Sequence, residues 1–457
     1  MRREPYFPEM TTHVVYDPKL VADSAIPCII DDHIKFDAES LQSYTTDAWN
    51  PMAYDTMLLA AVVEFCDSSK PRSTMDWGRK FNVKMPVHDV DHWNSQPVKL
   101  ALSSALGILT GDVWNFNFEM TTMPQDGPSQ AYLDFPSSVE KVIPYSDGLD
   151  SLAIGEIFAD DHHVGGLVRV RVGSTGIKRP GLGETIRPFA NIPFKVRRGL
   201  SGNGESSGRS RGFKFAILSG LAAYLVGADS VVVPESGQGS LGPVLVNVGQ
   251  NYPDRRAHPQ FTSKMTVLFE TLLGKSVLFE HPMIWGTKGE TLSKYKSIRP
   301  NDERWRKTRS CWKDSRQASV NKGRRQCGVC AACMLRQMSL HAAGLSEVRN
   351  TYVWEDLGAS EFWDGAHPDN NNSNAIQRHY AIAGVLHMDH IAALGRSERL
   401  SKHLDRHAVQ LSKSLGLPVD DVKVHLVRLI EQHNTEWREF VESLPRKSFV
   451  RNWALAA

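Results

Sequence analysis

One stretch constrains the chain more than any other: Val142-Ile143-Pro144-Tyr145-Ser146-Asp147-Gly148-Leu149-Asp150-Ser151-Leu152-Ala153. A short apolar run meets a Ser/Asp/Gly turn, and Leu152, Ala153, Ile154 and Ile157 follow at helical spacing. The pattern predicts a strand, a tight turn and a helix. Ser146 and Gly148 let the backbone come close to a ligand, and the free N–H groups and dipole of the new helix turn toward it. Such a turn holds an anion, most often phosphate. The carboxylates of Asp147 and Asp150 repel bare phosphate, so a bridging Mg²⁺ is implied. The same residues also suit an ordinary strand-to-helix turn with polar caps, so the assignment needs support from the rest of the chain.

A chain of 457 residues is too long for one ordinary core, and two or three domains are expected. With 41% hydrophobic and 23% charged residues it has the composition of a soluble globular protein. A formal net charge of +2 supplies no global field toward nucleic acid or membrane, which argues against direct nucleic-acid binding. No apolar run approaches the roughly 20 residues that span a bilayer. Met1-Arg2-Arg3-Glu4-Pro5 lacks the apolar core of a secretory signal, so the cytoplasm is the expected compartment.

Three regions are expected. Over residues 1–135, Asp55 to Cys66 reads as a helix with Met57, Leu58, Ala61 and Val62 on one apolar face. Residues 96–109 repeat the pattern through Val98, Ala101, Leu102, Ala105 and Leu109. Trp114, Phe116 and Phe118 alternate with Val113, Asn115 and Asn117, the period of a half-buried strand. This region reads as an α+β accessory domain whose aromatics are core.

From residue 136 to 345, strands alternate with helices, which predicts a doubly wound parallel sheet with its ligand at the carboxyl ends of the strands. Leu167 to Val172 reads as one strand. Residues 201–212 read as a flexible loop opening onto a helix from Phe213 to Val226, closed by Gly227, before a strand at Ser230–Pro234. Residues 346–457 read as helical after a polar break at 369–374, with Ile376, Tyr380, Val385 and Leu394 on apolar faces, then Val422, Leu426, Leu429 and Ile430. His403 and His407 stand four apart, but no glutamate follows His403 in the zinc-protease pattern, and a solvated helix face is the better reading.

Four of the six cysteines cluster: Cys311, then after fifteen residues Cys327, Cys330 and Cys333. Clustered thiols in a reducing compartment suggest metal more than disulfides. Four thiolates suit tetrahedral Zn²⁺ in a closed, structural site that pins a long loop. Iron–sulfur ligation is the competitor.

In their order along the chain these motifs resemble the 7-cyano-7-deazaguanine synthases of queuosine biosynthesis, within the ATP pyrophosphatase-loop (adenine nucleotide alpha hydrolase-like) enzymes. The family's Ser-Gly-Gly-x-Asp-Ser loop is similar to Ser146-Asp147-Gly148-Leu149-Asp150-Ser151, and its Arg-Asn helix start to Arg211-Gly212. Its Tyr-Pro-Asp-x-Arg segment is similar to Tyr252-Pro253-Asp254-Arg255-Arg256. A Pro followed by a Lys-Ala-Glu-like turn is similar to Pro282 and then Thr287-Lys288-Gly289-Glu290. Thr308-Arg309-Ser310-Cys311 and the run from Cys327 through Cys333 to Arg336 resemble the family's cysteine motifs. The resemblance covers about residues 140–340. Asp147 departs from a family glycine and Gly212 from an asparagine.

The resemblance implies an ATP-dependent C–N ligase that adenylates the carboxylate of 7-carboxy-7-deazaguanine, releases pyrophosphate and passes the acyl group to an amine. It implies ATP and Mg²⁺ at Ser146, Asp147, Gly148, Leu149, Asp150 and Ser151, with Asp150, Ser151, Lys288 and Arg211 catalytic. Asp254 and Arg256 are expected to read the substrate, and Zn²⁺ to sit on Cys311, Cys327, Cys330 and Cys333. The long additions resemble those of relatives in anti-phage defence systems, some of which attach a deazaguanine to a partner protein. A partner protein from the same system is therefore expected as acceptor. With ammonia the product is an amide, which a second activation by ATP would dehydrate to the nitrile base. A tRNA-thiolating relative would need a further catalytic cysteine, and Cys28 and Cys66 are the only spares. A loop disabled by Asp147 would leave a regulatory nucleotide-binding module.

Overall fold

The computed structural model describes residues 7–21, 24–38, 50–72, 78–122, 139–146, 148–161, 166–173, 192–198, 204–249, 251–313, 318–370, 375–395 and 398–454. In chain order the elements used below are β1 (Glu9–Val15), β2 (Ile26–Ile29), β3 (Ile34–Phe36), α1 (Pro51–Ser69), β4 (Lys80–Val87), α2 (Gln96–Thr110), β5 (Val113–Met120) and β6 (Lys141–Pro144). Then come α3 (Leu149–Asp161), β7 (Leu167–Val170), β8 (Val172–Gly173), β9 (Ile192–Val196), α4 (Arg211–Val226), β10 (Ser230–Val232) and α5 (Gly237–Leu245). The remainder comprises α6 (Pro259–Leu273), β11 (Leu278–Glu280), α7 (Lys288–Ile298), α8 (Ala331–Ala342), α9 (Ala375–Ala393), α10 (Glu398–Leu415) and α11 (Val419–Ser443).

The chain divides into two compact units. The first comprises Met1–Ser146, His162–Val233 and Asp254–Glu280; the second comprises Asp147–Asp161, Pro234–Pro253 and His281–Ala457.

Two parallel sheets form the frame of the first unit, ordered β2-β1-β4-β5 and β11-β10-β6-β7, with a small sheet β3-β9-β8. Burial in β5 alternates as expected, with Trp114, Phe116 and Phe118 inside. Their rings stack along the strand, and Trp114 lies 4.3 Å from the Phe81 ring on β4.

Several expectations are corrected here. The main sheet of residues 9–120 is parallel throughout, whereas an α+β reading predicts antiparallel neighbours; helices α1 and α2 carry the crossovers that parallel pairing demands. Helix α1 is longer than expected and buried nearly all round, Leu59, Ala60, Val63 and Phe65 included, because α4 packs against it as well as strands from two sheets. The apolar run 167–172 is broken at Arg171: β7 joins one parallel sheet, while Val172 and Gly173 pair with β9 in another. Helix α4 starts at Arg211 and ends at Gly227, whose φ of 75° is the left-handed cap expected of it.

The segment before α4 is anchored, against its flexible composition. Glu205 N–H donates to Ser68 O (3.0 Å), Ser210 N–H to an Asp67 carboxylate oxygen (2.9 Å), and Arg209 to Thr110 O (3.0 Å). Asp67 and Asp112 are in turn held by Arg79, which is fully buried, and Asp112 also by Arg72. Residues 201–203 lie outside the described residues.

Helices dominate the second unit. Val422, Leu426, Leu429 and Ile430 of α11 are buried, as their spacing predicts. On α9, Val385 is buried, but Ile376 and Tyr380 are exposed, correcting the expectation for them; the Lys313 ammonium sits 3.8 Å over the Tyr380 ring instead. Among the described residues no helix is long and apolar enough to cross a membrane.

Candidate functional site

Helices α3 and α7 build the centre of the candidate site within the second unit. Leu149, Leu152, Ala153 and Ile157 of α3 pack with Leu292 and Tyr295 of α7, and Trp305 and Leu340 close the cluster. The packing brings the first turns of the two helices together. Asp150 and Lys288, expected as catalytic residues from distant motifs, meet there as an ion pair. Lys288 is buried, and the second oxygen of Asp150, Oδ1, is buried with no hydrogen-bond partner among the described residues. Ser151 is buried in the same turn, and Gly148 O accepts the Leu152 N–H at 3.2 Å.

Lys288 is the first residue of α7. Thr287 caps the helix and forms a reciprocal capping box with Glu290. A cation at a helix N-terminus opposes the dipole, so Lys288 is held there by its surroundings and not by helix preference. What results is an ammonium and a carboxylate paired at the starts of two helices, whose dipoles both favour an anion there.

In the first unit, Tyr145 N–H pairs with Val170 O at the end of β6, and Ser146 follows in an exposed position. Asp147 lies outside the described residues. Arg211 opens α4 with its guanidinium 5.4 Å from the Phe215 ring. Burial first, and the neighbouring Arg256 second, push its pKa down. Arg256 is held by Asp254, whose carboxylate accepts from its Nε at 2.7 Å and from its backbone N–H at 3.1 Å. Burial pushes the Asp254 carboxyl up, but the Arg256 charge and hydrogen bonds outweigh it and hold the group below its ordinary value. Arg211, Asp254 and Arg256 are therefore brought together.

Gly212 explains one departure from the motif. A Cβ there would stand 2.6 Å from Arg256 Cβ and 2.9 Å from its Cα. An asparagine has no room, because the Arg256 backbone occupies that space.

The four cysteines gather as expected, with their sulfurs all within 4.8 Å of one another. Sulfurs at about 2.3 Å from a tetrahedral Zn²⁺ stand about 3.8 Å apart, and Cys327 Sγ and Cys333 Sγ are 3.8 Å apart. Backbone N–H groups point at the sulfurs: Cys327 N–H at Cys311 Sγ (3.2 Å) and Cys330 N–H at Cys327 Sγ (3.3 Å). Hydrogen bonding from Cys327 pulls the Cys311 thiol down, while Cys311 pushes Cys327 up and burial pushes Cys333 up. So many sulfurs ionise together only around a cation, and the set fits Zn²⁺. Gly384 lets α9 rest on this knuckle, since a Cβ there would lie 2.9 Å from Val329 O.

Among the described residues, His403, His407, Cys28 and Cys66 do not extend the site. His403 and His407 lie with ring centroids 4.5 Å apart, but His403 Nε2 is bonded to Leu245 O at 2.9 Å. Cys28 and Cys66 are fully buried, and burial pushes the Cys66 thiol up to about 12, which suits packing and not nucleophilic attack.

Sequence reasoning missed Gln238, His433 and Glu436, which surround the start of α7. No motif marks them, since each is assembled from a helix remote in the chain.

Comparison with known proteins bears on this geometry. Among curated proteins and among solved structures, none matches the chain. Residues 243–344 match the model of one family, described as queuosine biosynthesis protein QueC. The match contains Asp254, Arg256, Lys288 and all four cysteines, and leaves Ser146–Ser151 and Arg211 outside it. Over this segment the chain is similar to the queuosine biosynthesis protein QueC, the family its motifs resemble.

Proposed function

We propose that the chain is an ATP-dependent C–N ligase of the 7-cyano-7-deazaguanine synthase kind. Its reading rests above all on the Asp150–Lys288 pair, because Lys288 lies in the matched segment and its partner comes from the phosphate-loop motif outside it. In the proposed reaction a carboxylate oxygen of 7-carboxy-7-deazaguanine bonds to the α-phosphorus of ATP. The bond to pyrophosphate breaks, and pyrophosphate leaves. An amine nitrogen then bonds to the acyl carbon, loses a proton, and displaces AMP.

The chain's own residues position and neutralise in this reaction. Lys288 turns its ammonium from Asp150 toward phosphate oxygens. Ser151 offers its hydroxyl to the pyrophosphate portion, and the motif assigns Ser146 to the same phosphates. Arg211 balances negative charge, and Asp254 with Arg256 contacts the base. The Oδ1 of Asp150, which has no hydrogen-bond partner among the described residues, is a fitting ligand for Mg²⁺. When bound, Mg²⁺ supplies charge neutralisation to the phosphates. Zn²⁺ on the cysteines is structural.

The acceptor amine is assigned to a partner protein in an anti-phage defence setting, supported by residues 1–135 and 346–457, which lie outside both the match and the resembling motifs and exceed what a free nucleobase requires. The matched family favours a second reading, in which ammonia is the acceptor, the amide forms first, and a second ATP activates the amide oxygen so that it leaves with AMP and the nitrile base results. Product mass spectrometry with Mg²⁺-ATP and 7-carboxy-7-deazaguanine decides between them. A deazaguanine-sized mass gain on a protein from a neighbouring gene supports the first reading. AMP with an amide or nitrile base in the ammonia tube alone supports the second. No AMP in either tube overturns both and leaves a nucleotide-binding module.

A further inference from the structure

Lys288 is held from beyond the matched segment. Its backbone N–H donates to Gln238 Oε1 at 2.8 Å, so the amide NH₂ of Gln238 faces the other way. That NH₂ meets His433 Nδ1 at 2.8 Å, and His433 Nε2 meets Met388 O at 2.8 Å. The polarities allow one arrangement: His433 Nδ1 accepts, and Nε2 carries the proton and donates to the carbonyl. This needs a neutral imidazole, and burial pushes His433 down to about 4. Gln238 and His433 are both buried.

A second contact grips the cap of the same helix. The Glu436 carboxyl, buried on α11, is hydrogen-bonded to the Thr287 hydroxyl, and Gln432 Nε2 donates to it at 3.3 Å. Its Oε1 comes so near the first turn of α7 that a Cβ on Gly289 would lie 2.8 Å away. Thr287 has one hydroxyl proton and a second carboxylate within reach, Glu290 Oε2 at 3.3 Å. Ionised Glu436 accepts the hydrogen bond of that hydroxyl. Protonated Glu436 donates to Thr287 Oγ1 instead, and the hydroxyl turns to Glu290. The cap of α7 thus has two hydrogen-bond settings.

We propose that Glu436 and His433, on the C-terminal helix α11, are positioning residues that fix Lys288 at the start of α7 through Thr287 and Gln238. The inference rests on the assignment of Lys288 to phosphate. Burial, with repulsion from Glu290 added, pushes Glu436 up to about 7 against the hydrogen bonds of Thr287, Gln432 and Gln238, so the two settings exchange near neutral pH. The charged neighbours of this region are accounted for. Glu290 is paired with Arg428, Asp389 accepts from Trp437 Nε1, Asp405 is paired with Lys423, and His341 lies against Phe440. Burial pushes His387 down to about 3, leaving it neutral.

Glu436→Gln keeps the shape and removes the titration; His433→Asn keeps an acceptor near Nδ1, and His433→Ala removes it. Hydrogen exchange of the peptide containing the Lys288 amide, corrected for intrinsic rate, is followed from pH 6 to 8.5 in each full-length protein, together with AMP formation. In the wild type the protection of that amide changes around pH 7, and in Glu436→Gln it is flat. His433→Ala loses protection tenfold or more and lowers kcat for AMP formation by a similar factor, while His433→Asn restores most of both. A pH profile of protection that is the same in Glu436→Gln and the wild type overturns the proposal, as does unchanged protection in a folded His433→Ala. A wild type that makes no AMP overturns the ligase reading instead, and the exchange data still decide the positioning.

Discussion

Asp150 and Lys288 each stand in the first turn of a helix, and their side chains pair so that one Asp150 oxygen remains buried without a hydrogen bond to any described residue. An ammonium at a helix N-terminus gains nothing from the dipole, so the carboxylate across from it is its principal compensation. Ligand phosphate would take over that compensation and release the carboxylate.

Asp150→Asn separates charge from shape. The variant is expected to fold, with a lower Tm because Lys288 loses its counter-charge, and to form AMP about a hundredfold more slowly or worse, the scale of removing one charge-stabilising group. Circular dichroism checks the fold and AMP release the rate. Turnover within twofold of the wild type would remove Asp150 from the reaction.

The cysteine cluster makes a compositional prediction. Freshly purified protein should carry one zinc per chain by elemental analysis, and Cys330→Ser should lose it and unfold at markedly lower temperature, since metal binding is folding free energy here. A coloured protein carrying iron would replace the zinc assignment with an iron–sulfur one.

Gly212→Asn tests whether a motif departure is constraint or decay. The new side chain would meet the Arg256 backbone, and overpacking of this kind costs about 1–3 kcal/mol. Denaturant unfolding should show that loss, with slower AMP formation as Arg211 and Arg256 are pushed apart. A gain in turnover would mean that the glycine is a degenerated position.

Much of this was legible in the chain, for reasons that separate local from long-range information. The alternation in Val113–Met120, the left-handed cap at Gly227 and the cysteine spacing are written within a few residues, and the structure bears them out. The burial of α1 on all sides was not, because α4 covers it from a distant part of the sequence. Nor was the buried Arg79, Asp67 and Asp112 network that anchors the segment before Arg211, whose residues look like ordinary surface charges until the fold gathers them. In the site, the motifs named Asp150 and Lys288 without showing that they pair. Gln238, His433 and Glu436 carried no signal at all.

Glu436 gives the chain a pH dependence of stability with a definite sign. Its carboxyl ionises near the ordinary 4.5 when exposed and is pushed up to about 7 in the fold. Between those values the folded state keeps a proton that the unfolded chain has released, so this contribution is fully present below pH 4.5 and is lost as pH rises through 7. At 1.36 kcal/mol per pKa unit the loss is about 3 kcal/mol at most. His433 and His387, kept neutral by burial, act in the opposite direction as pH rises through the imidazole range, and they do so equally in wild type and variant. The difference between wild type and Glu436→Gln therefore isolates the carboxyl. Urea unfolding at pH 5, 6, 7 and 8 should find the variant gaining on the wild type by roughly 1–3 kcal/mol across the series. A constant difference at all four pH values would mean that Glu436 ionises in the fold as it does in water, and the two settings of the Thr287 cap would lose their switch.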